Sequence, residues 1–428
     1  MYPVLLEPAR LKVQPDTIVL YMIVDKEVKT VNINRTAYEI LMLCDGRHSI
    51  EDIIFTMQQR YQEEYQKVKE MVEEFIHNSI LIKTISISNN MCNVSIHVSG
   101  SNEYWTPDFV DIEITHKCML KCRHCYLSAN MEEKPLMEWS RLKEILYEFK
   151  NLGVDIVQIT GGEPLLHPQI CSIINLLLQV DMQFIIVTSG FYYTPKILKC
   201  LEKISLKQGG RLQVSVDGLQ NTHNYIRGNE NAFKKTIEFI EYLTSKNVLV
   251  DTVTTINSNT YNEQEIFNLC GLMKKKGVRR FRISSTLEMG RAAESHLTVS
   301  KEFISIIEKL TISLRKKYED DKFSIIYDEY SEKSNTKSCG MGYRFFRIDP
   351  EFNLYPCPLS QDILGNLKKT PLSFFTNKET KYHQIKPPQK EICGECEMFF
   401  LCSGCISQGL INRNKVEKCA WFDIMYNR

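Results

Sequence analysis

The chain has 428 residues, a net charge of +1 and a pI near 7.5, so it is long enough for two or three domains and carries no charge excess suited to nucleic acid or an anionic membrane. Hydrophobic residues make up 43%, yet no apolar run reaches the roughly 18 residues of a spanning helix. The opening MYPVLLEPARLK has no basic stretch ahead of its apolar residues, as a signal peptide would, and the expectation is a cytoplasmic protein. Fifteen cysteines in a reducing compartment point, where they cluster, to metal rather than disulfides.

Residues 1–87 read as a small separate unit. The runs RLKVQ, TIVLYMIV and VKTVNI are strand-like, and three helical patterns follow. In NRTAYEILMLCDG, Ala37, Ile40, Leu41 and Cys44 recur at helical spacing before Asp45-Gly46 stops the pattern. Ser49 and Asp52 predict a near capping box for the second helix. Tyr65, Val68, Val72, Phe75 and Ile76 form the apolar stripe of the third. Short strands with three amphipathic helices suit a winged helix-turn-helix. The third helix, EEYQKVKEMVEEF, is too acidic to read DNA, so a peptide or protein partner is expected instead.

Residues 88–107 are polar and read as a linker with at most one short strand. Residues 108–300 alternate strand-like runs (FVDIEIT, DIVQIT, FIIVTS, LQVSV, VLVDTVTTI, RFRISST) with amphipathic segments that include 138–151, 168–180, 231–246 and 262–276. Six such repeats predict an α/β fold, a parallel sheet with helices outside it, whose active groups sit at the C-terminal strand ends. Residues 301–338 read as helix and linker. Residues 339–428 hold seven of the cysteines and little periodicity, so metal is expected to supply part of their stability. The scattered Cys44, Cys92, Cys171, Cys200 and Cys270 read as structural, three of them in helix-like apolar patterns where a free Cys acts as a small apolar side chain.

After the first strand of the repeats comes HKCMLKCRHCYL, with Cys118, Cys122 and Cys125 spaced by three residues and then two. Three thiolates can hold three irons of a 4Fe–4S cubane and leave the fourth iron open. A zinc site needs a fourth ligand, for which His116 or His124 could serve. After the second strand comes GGEPLLHP, whose Gly161 and Gly162 permit close backbone approach and whose Glu163 can meet an ammonium group; alone it could equally be a turn. After the fourth strand comes SVDGLQNTHNYIRG, where Arg227 suits bidentate pairing with a carboxylate.

In this order the motifs resemble the radical S-adenosylmethionine (SAM) superfamily, whose fold is a partial (β/α)6 barrel. The resemblance implies that Cys118, Cys122 and Cys125 ligate a 4Fe–4S cluster whose open iron binds SAM. It implies a shared first step in which the reduced cluster cleaves SAM and a 5′-deoxyadenosyl radical abstracts hydrogen from substrate. Cofactor contacts are implied for His124, Gly161, Gly162, Glu163, Pro164, Ser189 (near the ribose), Ser215, Arg227 and Leu287 (flanking the adenine). The stretch MGRA, residues 289–292, resembles the turn after the sixth strand.

The C-terminal cysteines are Cys339, Cys357, Cys393, Cys396, Cys402, Cys405 and Cys419, with CGECEMFFLCSGC at their centre. They resemble a SPASM domain with two auxiliary 4Fe–4S clusters, which gives three clusters in all. By that resemblance Cys393, Cys396, Cys402 and Cys419 hold one auxiliary cluster, and Cys339, Cys357 and Cys405 the other, its fourth ligand unassigned. A zinc ribbon is the alternative. The chain departs from the pattern at Phe352, where the family usually has glycine. Residues 1–87 resemble a PqqD-like recognition element for the leaders of ribosomally made precursor peptides, carried by VNINRTAYEILMLCDGRHSIEDI. The whole layout, with SGSNE and CGMGYRFFRIDP, resembles sactipeptide thioether synthases, which join a cysteine sulfur to a carbon. The implied partners are a precursor peptide and an electron donor such as flavodoxin or ferredoxin. Carbon–carbon crosslinking, oxidative decarboxylation and a zinc-bound, non-catalytic leader adaptor are the alternatives.

Overall fold

The computed structural model describes residues 1–428 apart from 7–8, 25–26, 133–134, 181, 207–208, 296, 298–299, 328–338 and 427–428. It divides into two compact units, Met1–Thr106 and Pro107–Arg428.

In the first unit β1 (Tyr2–Leu5) pairs antiparallel with β5 (Ile85–Ser88). A second sheet has the order β4-β3-β2-β6, from β2 (Arg10–Val13), β3 (Ile18–Val24), β4 (Glu27–Ile33) and β6 (Val98–Gly100). β6 lies within the stretch read as a linker. It pairs parallel with β2, which leaves β4 and β6 as the outer strands. Helices α1 (Arg35–Leu43), α2 (Ile50–Tyr61) and α3 (Tyr65–Leu81) follow the meander. The Asn34 side chain accepts the Ala37 N–H at 2.8 Å, and Ser49 with Asp52 closes a full capping box on α2. Leu11, Leu20, Ile40, Leu41, Ile53 and Val72 fill the core. The α3 stripe is narrower than the spacing predicts: Val68, Val72 and Ile76 are buried, Phe75 is half-buried and Tyr65 is exposed.

The second unit is built on a ten-stranded sheet, β13-β12-β11-β10-β9-β8-β7-β14-β15-β16. Its six central strands are β7 (Phe109–Thr115), β8 (Ile156–Gly161), β9 (Gln183–Thr188), β10 (Gly210–Ser215), β11 (Val250–Ile256) and β12 (Arg280–Ser285). All are parallel and lie side by side in chain order. Helices α4 (Trp139–Leu152), α5 (Ile170–Gln179), α6 (Pro195–Glu202), α7 (Gln220–Arg227), α8 (Ala232–Ser245) and α9 (Glu263–Lys275) connect them. The strand pleat sorts side chains by face. Val110, Ile112 and Ile114 of β7 join a core with Leu142, Ile145 and Phe149 of α4, so the intervening Asp111 and Glu113 point to the opposite face and are buried there as well.

After α10 (Arg291–Glu294) and α11 (Lys301–Tyr318), β13 (Ser324–Tyr327) adds to β12 in parallel. The stretch read as helix and linker thus contributes a strand, and its last part lies outside the described residues. β14 (Phe345–Ile348) adds in parallel to β7, and β15 (Asn353–Tyr355) and β16 (Gly365–Asn366) continue antiparallel. The start of the cysteine-rich region is therefore part of the same sheet. Phe346, Ile348, Phe352, Leu354 and Leu367 share the main core, so apolar burial, more than was expected from the sequence, holds it in place. Short helices complete the chain: α12 (Lys381–Gln384), α13 (Lys390–Cys393), α14 (Phe399–Cys402), α15 (Ile406–Asn412) and α16 (Ala420–Tyr426).

Cys171 and Cys200 form a disulfide between α5 and α6, with Cα atoms 5.6 Å apart; the sequence reading of two separate apolar thiols is corrected. Cys44 and Cys270 are buried as free thiols, whereas Cys92 is exposed. Among the described residues no helix is long and apolar enough to cross a membrane.

Candidate functional site

The C-terminal ends of β7 to β12 lie along one edge of the sheet, and the residues singled out in the sequence gather there. The three-cysteine loop leaves β7 at Thr115 and is pinned from several sides. The Cys118 N–H donates to the Asn130 carbonyl at 2.8 Å, and the Arg123 N–H to the Ile226 carbonyl at 2.9 Å. Arg291 clamps the loop: its N–H donates to the Cys125 carbonyl at 3.0 Å, its Nε to the Cys122 carbonyl at 2.7 Å and one guanidinium NH2 to the Ala129 carbonyl at 2.9 Å. Gly290 is left-handed (φ +53°), and a Cβ there would sit 2.5 Å from the Cys125 and Tyr126 carbonyl oxygens, so only glycine lets the MGRA turn close on the loop. Cys118 and Cys122 are buried and Cys125 is half-buried.

Gly161 and Gly162 serve a similar approach. A Cβ at Gly161 would lie 2.1 Å from the Thr115 carbonyl oxygen, and one at Gly162 would lie 2.4 Å from that of Lys117. The close approach required of these glycines is thus to the base of the cysteine loop. Pro164 opens the short 3-10 turn Pro164–Leu166. Glu163 is buried and accepts from the Thr188 hydroxyl (2.7 Å), the Leu165 N–H (3.2 Å), the Ser189 N–H (3.0 Å) and the Ser189 hydroxyl (2.5 Å). Burial raises its pKa above the ordinary carboxylate value, although all four donors oppose this. Glu163 and Ser189, assigned separate cofactor contacts from the sequence, are here bonded to each other. Ser215, half-buried, ends β10. Leu287 follows β12 and lines a hollow with Met289, Leu401, Gln408, Ile411 and Asn412.

Arg227, at the end of α7, is buried with its guanidinium 2.7 Å from an Asp217 carboxylate oxygen and 3.6 Å from the Cys122 sulfur. Burial works against the Arg227 charge, but Asp217 and Cys122 outweigh it and hold the group charged. Burial likewise opposes the Asp217 charge, but Arg227, with smaller help from His124, His223 and the Thr255 N–H, outweighs it, so the Asp217 pKa stays below the usual range. His124, its Nε2 4.0 Å from Asp217, is pushed by burial down to about 4 and is neutral at pH 7. His116 lies 2.9 Å from a Glu113 carboxylate oxygen, so both histidines considered as a fourth zinc ligand face carboxylates. Asp217 and Arg291 had no assigned role in the sequence; the DG turn and the MGRA match were the signals that could have given them one.

Buried, unpartnered polar atoms collect around the loop: His124 Nδ1, Arg227 Nε and one Arg291 guanidinium nitrogen. A buried donor without an acceptor is costly, and cationic donors here suit a group rich in anionic acceptors. The thiols point the same way. Burial pushes Cys118, Cys402 and Cys405 up to about 12, about 11 and about 12. A nucleophilic cysteine needs the opposite shift, whereas metal binding would itself draw off the protons. Three Cys-x-x-Cys segments close the same turn: the N–H groups of Cys125, Cys396 and Cys405 donate to the carbonyls of Cys122, Cys393 and Cys402 at 3.3, 3.0 and 2.9 Å. Among the described residues no three His, Cys, Asp or Glu side chains are arranged around a single ion. A cubane makes no such demand, because each thiolate binds a different iron. The donor set therefore fits an iron–sulfur cluster.

Glu113 and Arg347 connect the loop to the C-terminal cysteines. The fully buried Glu113 accepts from the Tyr126 hydroxyl at 3.2 Å and faces Arg347 at 3.5 Å. Arg347 also donates to the Ser360 carbonyl at 3.0 Å and stacks 3.9 Å from the Tyr355 ring centre. The Ser360 N–H in turn bonds the Cys357 carbonyl at 3.1 Å.

Residues 112–272 match the radical SAM superfamily, and residues 18–79 match coenzyme PQQ synthesis protein D (PqqD). The antilisterial bacteriocin subtilosin biosynthesis protein AlbA of Bacillus subtilis is 26% identical over 403 residues, which cover 91% of this chain and 88% of AlbA. The sporulation killing factor maturation protein SkfB of the same organism is 27% identical over 276 residues, 64% of this chain and 65% of SkfB. The fold is similar to the crystal structure of Streptococcus suis SuiB bound to S-adenosylmethionine, with a TM-score of 0.69 at 14% identity, over 97% of this chain and 98% of SuiB. SuiB has also been solved bound to the precursor peptide SuiA.

Proposed function

We propose that this chain, a radical SAM enzyme with a PqqD-type domain, matures a ribosomally made precursor peptide by forming intramolecular thioether crosslinks, cysteine sulfur to carbon. The observation that carries this reading is the pairing, on one chain, of a domain matching PqqD with a three-cysteine loop set among unpartnered cationic donors. AlbA and SkfB, named for bacteriocin and killing-factor biosynthesis, support the substrate class.

On this reading Cys118, Cys122 and Cys125 hold the 4Fe–4S cluster that binds SAM, with Arg227 and the Glu163–Ser189 pair shaping the SAM pocket. When bound, cluster and SAM supply the one-electron chemistry that removes a hydrogen atom from a substrate carbon. The chain's own part is positional. Arg291 and Gly290 fix the loop, Asp217 keeps Arg227 charged and oriented, and the closed contacts of Gly161 and Gly162 hold the SAM-binding turn against that loop. Residues 339–428 act as a SPASM domain: Cys393, Cys396, Cys402 and Cys419 hold one auxiliary cluster, and Cys339, Cys357 and Cys405 the other. Flavodoxin or ferredoxin would supply electrons in the cytoplasm.

Residues 1–87 act as a winged helix-turn-helix recognition element. A leader strand would add to the outer strand β4 by backbone hydrogen bonds. Beside β4 a hollow lined by Ile33, Thr36, Ala37, Ile40, Met71 and Phe75 would take one of its apolar side chains.

The test is anaerobic co-expression with a Cys-containing precursor encoded beside the enzyme, followed by mass spectrometry. Loss of two hydrogens per crosslink, with the thiols blocked from alkylation, is the expected result. Two hydrogens lost with every thiol still free would replace the thioether by a carbon–carbon bond. No mass change, in a protein that cleaves SAM, would overturn the substrate assignment.

A further inference from the structure

The three-cysteine set Cys339, Cys357 and Cys405 has buried company. Ser407 and Met341 are each 2% exposed. The Ser407 hydroxyl oxygen lies 2.8 Å from the Cys357 sulfur and 3.4 Å from the Met341 thioether sulfur. The Leu359 N–H also points at the Cys357 sulfur, at 3.3 Å, and the Gln408 N–H at that of Cys405, at 3.4 Å.

A hydroxyl has one proton to donate, and here two sulfurs compete for it. While Cys357 is a thiol it can donate its own proton to the Ser407 oxygen, and the Ser407 proton is left for Met341. A cysteine that ligates iron has no proton and carries negative charge. The hydrogen bond to it is then charge-assisted and outcompetes the neutral thioether. The hydroxyl proton turns to Cys357 only when the sulfur is a ligand.

Resting on the cluster assignment proposed above, we infer that Ser407 is a positioning residue that donates a hydrogen bond to the Cys357 thiolate and sets the reduction potential of that auxiliary cluster. A donor aimed at a ligand sulfur stabilises the more negative, reduced state and so raises the potential. Met341 accepts the Ser407 hydrogen bond when the site is empty and has no part in the loaded state.

The experiment uses the full-length chain with Cys118, Cys122 and Cys125 replaced by alanine, reconstituted anaerobically so that only the C-terminal centres load. Redox titration followed by electron paramagnetic resonance should show two auxiliary couples. Ser407→Ala should move one of them to a more negative potential at unchanged iron and sulfide content. Ser407→Thr should restore it, and Met341→Leu should leave both in place. Without any substitution, the reduced centre in deuterated buffer should show a strongly coupled exchangeable deuteron that Ser407→Ala weakens. An unmoved couple in fully loaded Ser407→Ala, or no such deuteron in the parent, overturns the inference. So does a three-iron signal in Ser407→Ala, which would make the hydroxyl a ligand. If the C-terminal cysteines of the parent take up no iron at all, the cluster assignment itself falls, an outcome distinct from the others.

Discussion

Phe352 stands where glycine is usual, and the structure says what each residue contributes there. It turns the chain between β14 and β15 with φ at +69°. Its N–H donates to the Asp349 carbonyl at 2.9 Å and its carbonyl accepts from the Leu367 N–H at 2.8 Å. A left-handed conformation costs a residue with a Cβ about 1–2 kcal/mol. The ring is fully buried among residues that include Phe346, Leu354 and Leu367, and deleting such a side chain costs about 3–5 kcal/mol. Phe352→Gly therefore loses the packing but regains the strain, for a net loss of about 1–4 kcal/mol. Phe352→Ala loses nearly the same packing, keeps the strain, and falls about 1 kcal/mol further. The order parent, glycine, alanine inverts the usual advantage of alanine over glycine. Anaerobic urea unfolding of the three holoproteins, followed by circular dichroism and by tryptophan fluorescence, reads it directly. Alanine at or above glycine would refute the left-handed turn, and glycine at or above the parent would refute the packing argument.

Arg291→Ala should release two carbonyls of the cysteine loop, those of Cys122 and Ala129, and lower iron retained there, measured as iron per chain after a chelator challenge in protein whose C-terminal cysteines are intact. Asp217→Asn should cost about 3–5 kcal/mol, because it leaves the buried Arg227 charge uncompensated; a midpoint unchanged in urea unfolding would contradict this. Met71→Asp, in the hollow beside β4, should weaken binding of a labelled leader peptide roughly tenfold or more while peptide-free SAM cleavage is unaffected; equal affinity would move the leader elsewhere. In the N-terminal unit, burial opposes the Asp45 charge, but bonds from His48 and Arg47 hold its pKa at about 2, below the ordinary 3.8. A carboxylate lowered on folding stabilises above its unfolded value, so this stability is present above pH 3.8 and lost as pH falls through about 2. Asp45→Asn should flatten that part of the acid-unfolding profile.

The six parallel strands were legible because each is an apolar run beside a helix of clear period. β13 and β14 were not. Both are only four residues long, and β14 is followed by a hairpin instead of a crossover helix, so neither shows the βα rhythm. β6, three residues in a polar stretch, gains its place from the β2 edge and not from its own composition. The cysteine spacings announced the site, but its supports did not. Glu113 is one of two acids in an otherwise apolar strand, and Arg347 lies 234 residues away in sequence. Cys171 and Cys200 sit on apolar helix faces, and only the packing of α5 against α6 makes them a pair.

The supports explain why the site is more than its cysteines. Three thiolates and the sulfides they carry would bring net negative charge to a place from which water is largely excluded, and such charge has to be balanced nearby. Arg227 and Arg291 lie against the loop, each with a buried nitrogen still unpartnered. Before a cluster is bound, those cations need carboxylates of their own, and Asp217 meets Arg227 at 2.7 Å. Asp217 has no room to approach the sulfurs as a ligand while it is held by Arg227 and by the Thr255 N–H at 3.2 Å. Its work is to keep the guanidinium charged and aimed while the pocket is empty. The same logic runs through Glu113 and Arg347, which hold the base of the loop to the Cys357 segment through one sheet. On the proposed assignment, iron chemistry in this chain would depend on acids and arginines that ligate nothing, and substituting the cysteines alone into another parallel sheet would not reproduce it.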